Sequence, residues 1–185
     1  MKTRRNNKQI CKKNKKTIRS MEPLKHCKRK NFGIAVLDMG NVNGVVRFSK
    51  KLDGVKINYK IHGLKDGMHG FHIHEYGDMS QGCATACSHF NPYNKKHGGL
   101  HSKETHLGDL GNIIARNGVA KGEKFKKGLS LDMCNPACII GRMIIIHKER
   151  DDLGPGSNEE SLKTGNAGPR LACGVIGLTQ NTTRQ

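Results

Sequence analysis

Val55, Ile57, Tyr59 and Ile61 alternate with Lys56, Asn58 and Lys60. This two-residue period turns one face of a strand to a core and the other to water. Residues 32–37 and 44–48 are similar short runs, rich in β-branched and aromatic side chains. Asn43-Gly44, Asp53-Gly54 and Asp66-Gly67 punctuate them, and such dipeptides favour tight hairpin turns. Short strands joined in this way predict an all-β antiparallel sandwich or barrel. The periodicity stops over residues 77–109, which are dense in Gly, Asn, His and Cys. An irregular stretch of that length is rare unless function or crosslinks hold it. Strands resume near 110–115 and 142–147. A second loop over 151–170, rich in glycine and charge, precedes a last strand at 171–178. No helix of normal length and no internal repeat is visible.

Charge divides the chain. Of its 33 Lys and Arg residues, 13 lie in residues 1–30 against one acid, Glu22. The remainder, 31–185, has ordinary globular composition, so the expected organisation is a basic tail followed by one domain. Like charges with little apolar surface to bury predict a solvated tail; the same lysines also suit weak attachment to nucleic acid or anionic surfaces. No aromatic residue interleaves them, so base stacking is not indicated. A transit peptide is the third reading, weakened by few serines and a preference for Lys over Arg. Residues 1–30 lack the apolar stretch of a secretory signal, and no run approaches the roughly 18 apolar residues of a membrane span. The cytoplasm is the expected compartment, with the nucleus or association with polyanions through the tail as the alternative.

The chemistry concentrates in histidine. His72 and His74 lie two apart within the apolar run 70–74, so a strand presents both imidazoles on one face. His89, His97, His106 and Asp109 follow within the long irregular stretch, and His147 closes an apolar strand. Imidazole suits copper and zinc alike, and three histidines with one carboxylate suit tetrahedral zinc. His26, His62, His69 and His101 are left over. His69, beside the pair, is expected to brace its strand by hydrogen bonds; His62 and His101 are expected at the surface, and His26 in the tail.

Two stretches, Gly70-Phe71-His72-Ile73-His74-Glu75-Tyr76-Gly77-Asp78 and Gly165–Gly177, resemble the signatures of copper/zinc superoxide dismutases. So do Ser88–Pro92, His97–Gly99, His106–Asp109 and Cys138–Arg142. The resemblance runs from about Phe32 to Gln180. It implies an eight-stranded Greek-key sandwich or barrel, the architecture this family is known for. It implies one copper held by His72, His74, His89 and His147, and one zinc held by His89, His97, His106 and Asp109. A bridging His89 would have to be an imidazolate, which two neighbouring dications favour. The implied reaction is disproportionation: one superoxide is oxidised to dioxygen, and a second takes up two protons and becomes hydrogen peroxide. His89 is the implied proton carrier, and Arg170 the cation that attracts and orients the anion. Asp151 resembles an outer carboxylate that orients a ligand of each metal. Glu159, Glu160 and Lys163 fall where the family has a charged guidance loop. Family members are known cases of electrostatic steering. A homodimer is also implied by resemblance alone.

The family's internal disulfide corresponds to Cys83 and Cys173. Cys87 lies four residues beyond Cys83 and suits an inert buried thiol or, with less support, a competitor for Cys173. Cys134 and Cys138 suit free thiols near a turn or, with less support, a soft metal. Cys11 and Cys27, in the tail, suggest no site. Two rivals remain: a copper-delivery chaperone with a dismutase-like domain, and a scaffold serving the basic tail. The complete copper set and the lack of a Cys-x-x-Cys motif oppose the chaperone.

Overall fold

The computed structural model describes residues 31–180; the basic tail, with Cys11, Cys27 and His26, lies outside the described residues. Ten strands are present: β1 (Phe32–Met39), β2 (Val42–Lys50), β3 (Gly54–His62), β4 (Gly67–His74), β5 (Ser80–Cys83), β6 (Asp109–Arg116), β7 (Val119–Lys127), β8 (Met143–His147), β9 (Arg170–Val175) and β10 (Gly177–Leu178). A short α-helix, α1, covers Ser161–Thr164, and a 3-10 turn covers Ala84–Ala86. Nine strands form one sheet in the order β10-β1-β2-β3-β7-β6-β4-β8-β9, every pair antiparallel. The β3–β7–β6–β4 segment is the Greek-key crossover. β9 and β10 are one strand broken at Ile176. One half pairs with β8 and the other with β1, so the sheet curls into a nearly closed barrel of the eight expected strands.

The alternating residues of β3 bury Val55, Ile57 and Ile61 in the main core, together with Phe48, Phe71, Leu110 and Ile113. β7 does not alternate in this way. Its inward row includes Gly122, half-buried Lys124 and buried Lys126, so no hydrophobic period marks it as a strand. β5 was likewise hidden in the stretch expected to be irregular. The Met143–His147 strand is buried on both faces. Ile144 and Ile146 enter the main core, whereas Met143 and Ile145 pack with Ala86 around Cys83 and Cys173.

Cys83 and Cys173 form the disulfide, with Cα atoms 5.8 Å apart across 90 residues of sequence. Cys87 therefore does not displace Cys83. In the chain-entropy picture such a crosslink stabilises the fold by about 4 kcal/mol. It ties the start of the long loop to β9. Cys138 is a free, buried thiol whose pKa burial raises, which keeps it unreactive.

Candidate metal centre

β4 sends Phe71 and Ile73 into the core and leaves His72 and His74 on the opposite face, beneath the two long loops. The loop carrying His89 is laid against β4 by backbone bonds: Phe90 N donates to Ile73 O and Ile73 N to Gly108 O, both at 2.8 Å. The other loop docks on it where His97 N donates to Leu162 O at 2.9 Å. All seven expected ligands thus converge, and all seven are buried.

One group comprises His72, His74, His89 and His147, whose ligand atoms lie within 4.8 Å of one another. Each ring is turned by its other nitrogen. His74 Nδ1 contacts Cys87 O at 2.8 Å, His147 Nδ1 contacts Gly168 O at 3.0 Å, and His72 Nε2 contacts Asp151 Oδ2 at 2.8 Å. That leaves His74 Nε2 and His147 Nε2 facing each other at 3.3 Å. His72 Nδ1 and His89 Nε2 are buried without any hydrogen-bond partner. Orphaned buried nitrogens are costly, and a metal ion satisfies them.

The second convergence centres on Asp109. Its Oδ1 lies 2.8 Å from His89 Nδ1, 3.1 Å from His97 Nδ1 and 3.2 Å from His106 Nδ1. Four donors at zinc's bond length of about 2.0 Å sit about 3.3 Å apart at the corners of a tetrahedron, close to this spacing. His89 is the ring whose nitrogens part company, Nδ1 toward Asp109 and Nε2 toward the first group. By distance alone His72 also approaches His89, His97 and Asp109. His106 reaches Asp109 from the outer side.

Asp151 joins the two halves. Its Oδ2 accepts from His72, and its Oδ1 lies 2.8 Å from His97 Nε2. Asn112 fixes it in turn, bonding its backbone N and O at 2.8 Å each. Gly165 is needed here: its φ is +65°, and a Cβ would fall on Asp151 Oδ1 and His97 Nε2. Gly70 likewise makes room for Ala167 beside His72. His69 braces β4 as expected, its ring nitrogens 3.0 and 2.8 Å from His147 O and Lys65 O.

Electrostatics separate the two ends. Burial, with the neighbouring His89, holds His72 and His74 well below the usual histidine range. Burial also lowers His147 to about 4. These imidazoles are therefore neutral, as metal ligation requires. At the other end burial opposes charge on His97, yet the Asp109 and Asp151 carboxylates outweigh it and raise its pKa to about 9. Burial opposes the charge of both carboxylates, yet the histidines facing them hold each far below its usual range. A base whose folded pKa is lowered adds stability above its unfolded pKa, about 6.5, and that stability is lost as pH falls. The metal-free protein should therefore lose thermal stability between about pH 6.5 and 4, the window set by His147. Melting curves across that range check it; a melting point that does not fall contradicts it.

A cleft of about 290 Å³ opens onto His74, His89 and His147. Arg170 stands in its wall. Its guanidinium donates to Cys83 O and Cys87 O, and to Ala84 O at 3.1 Å, so the crosslinked loop carries it. Of the three expected guidance residues only Glu160 lines the cleft. Glu159 and Lys163 pair with each other at 3.2 Å on the exposed surface. Thr164 and Asn166 also line it and were not anticipated, although both adjoin the Gly165 signature. Cys134 is exposed and Cys138 buried, and neither joins a metal-ligating group among the described residues. His101 is exposed and His62 half-buried.

Two ligand sets that share His89, beneath a cleft walled by Arg170 on a Greek-key barrel, make up a centre that could hold two metal ions. The family model for copper/zinc superoxide dismutase (SODC) matches residues 42–176. "Superoxide dismutase [Cu-Zn] A" of Xenopus laevis is 53% identical over 140 residues, 75% of this chain and 91% of that protein. "Extracellular superoxide dismutase [Cu-Zn]" of Brugia pahangi is 47% identical over 152 residues, 79% of this chain and 75% of that protein. The crystal structure of the clock protein EA4 superposes with a TM-score of 0.79 at 41% identity, covering 82% of this chain and 97% of that one. The chain belongs to the copper/zinc superoxide dismutase family.

Proposed function

We propose that this protein disproportionates superoxide to dioxygen and hydrogen peroxide, in antioxidant defence, within a domain spanning residues 31–185. The observation that carries this is the shared ring of His89, with one nitrogen on each of two converging ligand sets. His72, His74, His89 and His147 would hold copper, and His89, His97, His106 and Asp109 would hold zinc. When bound, copper supplies the one-electron chemistry, and zinc, which has none, supplies charge and rigidity.

The chain's own residues do the rest. Arg170 keeps its charge despite burial, since guanidinium does not deprotonate in proteins. It draws a small anion into the cleft and holds it beside His74 and His147. Glu160 at the rim shapes the approach field, and salt should weaken that attraction. His89 would hold and release one of the two protons at Nε2, the nitrogen facing the first group, and solvent would supply the other. Its Nδ1 stays fixed against the Asp109 side, so the ring need not swing. Asp151 keeps His72 and His97 in register throughout.

A homodimer is proposed through the face where Tyr76 and Val175 are exposed around Gly77, at which a Cβ would meet Gly141 O and Val175 Cγ1. Exposed apolar side chains gathered in this way suit a self-complementary contact. The cytoplasm is the proposed compartment. Weak polyanion binding by residues 1–30 is an added proposal from charge alone, separable by deleting them. Among the described residues no helix is long and apolar enough to cross a membrane.

Chelation tests the function directly. Dismutation should vanish when both metals are stripped and return with copper plus zinc, but not with zinc alone. No dismutation by the copper- and zinc-loaded protein would refute the proposal; full activity in copper-free protein would refute the copper assignment.

A further inference from the structure

We infer that Lys126 on β7, acting through Thr105, positions the Asp109 carboxylate and so makes the outer barrel wall part of the zinc end. This rests on the assignment of zinc to Asp109 and its three histidines. Lys126 is only 4% exposed, an unusual place for an ammonium group. Among the described residues no carboxylate forms an ion pair with it. Its Nζ instead donates to Thr105 Oγ1 at 3.3 Å and Leu100 O at 3.4 Å, both on the loop between His97 and Asp109. Thr105 Oγ1 lies 3.2 Å from Asp109 Oδ2.

A hydroxyl has one proton to give, and Thr105 also approaches Gly98 O and His106 O at 3.3 and 3.2 Å. Lys126 donates to the hydroxyl oxygen, and an ionised carboxylate is the strongest acceptor in reach, so the proton goes to Asp109. Oδ2 also receives Gly98 N at 3.0 Å and His106 N at 2.8 Å. Three donors thus saturate the loop-side oxygen and leave Oδ1 facing the three imidazoles. Two effects of Lys126 compete. An ammonium repels a dication, but Asp109's negative charge stands between them. The tether holds the loop and the carboxylate in their ligating geometry before metal arrives, and this effect wins.

The test uses the metal-loaded protein. Zinc release to a colorimetric chelator is timed, and the visible spectrum is recorded with cobalt(II) in the zinc position. Lys126→Met keeps the stem and removes the charge; Thr105→Val breaks the relay in the loop. Each should speed zinc release about tenfold, the scale of losing an outer partner of a metal ligand, and shift the cobalt spectrum. The double variant should be no worse than either alone. Lys126→Arg should retain near-normal release. Metal-free Lys126→Met should melt no lower than the parent, since hydrocarbon replaces a buried cation. Unchanged or slower release, additive effects, or a lowered metal-free melting point matching the faster release would overturn the inference. A parent protein whose zinc content is indifferent to Asp109→Ala would instead remove the zinc assignment, and the link with it.

Discussion

His74→Ala should remove dismutation while the barrel stays folded. His74 sits on a strand hydrogen-bonded on both sides, to β6 and to β8, and is 2% exposed. Its ring is clamped by Cys87 O, so Nε2 is held toward His147 Nε2 before any metal binds. Alanine deletes a proposed copper donor and no member of the main hydrophobic core. The loss should exceed the roughly 100-fold that removing an outer hydrogen-bond partner costs. Burial holds this imidazole neutral, so its deletion strands no charge, and the metal-free variant should melt near the parent. Activity assays with bound copper measured in parallel check this. Retained turnover with copper still bound would take His74 out of the centre.

Asp151→Ala should damage both metal positions at once. Its carboxylate touches one ring from each end: Oδ2 meets His72 and Oδ1 meets His97, each at 2.8 Å. Alanine leaves two buried imidazole nitrogens without partners and lets both rings turn. It also frees the loop, because Oδ1 receives Leu153 N at 2.7 Å. Each metal should bind about 10- to 100-fold more weakly. His97 should at the same time lose part of its raised pKa, since one of its two carboxylates is gone. Competition titrations for copper and zinc separate the outcomes. Weakening of one metal alone would contradict the bridging role.

The residues that meet in the centre were legible because each lies in a short segment whose spacing is tied to its chemistry. His72-x-His74 needs only the two-residue strand period to place both rings on one face. The barrel was legible where alternation was clean, as in β3. It was not in β7, where Gly122, Lys124 and Lys126 occupy the inward row and mimic a polar loop. Asn112 and Thr105 were also silent. Asn112 works through two hydrogen bonds to Asp151 and Thr105 through one from Lys126, partners distant in sequence, which leaves no local pattern. Glu159 and Lys163 lie in the expected loop but pair with each other at the surface, and of the three only Glu160 lines the cleft.

The central claim is that His89 stands between a copper and a zinc. Anomalous diffraction from a crystal of the loaded protein, recorded on either side of each metal's absorption edge, tests it most directly. The account predicts a copper peak ringed by His72, His74, His89 and His147 and a zinc peak ringed by His89, His97, His106 and Asp109. A single metal peak, or two peaks without the His89 ring between them, would contradict it.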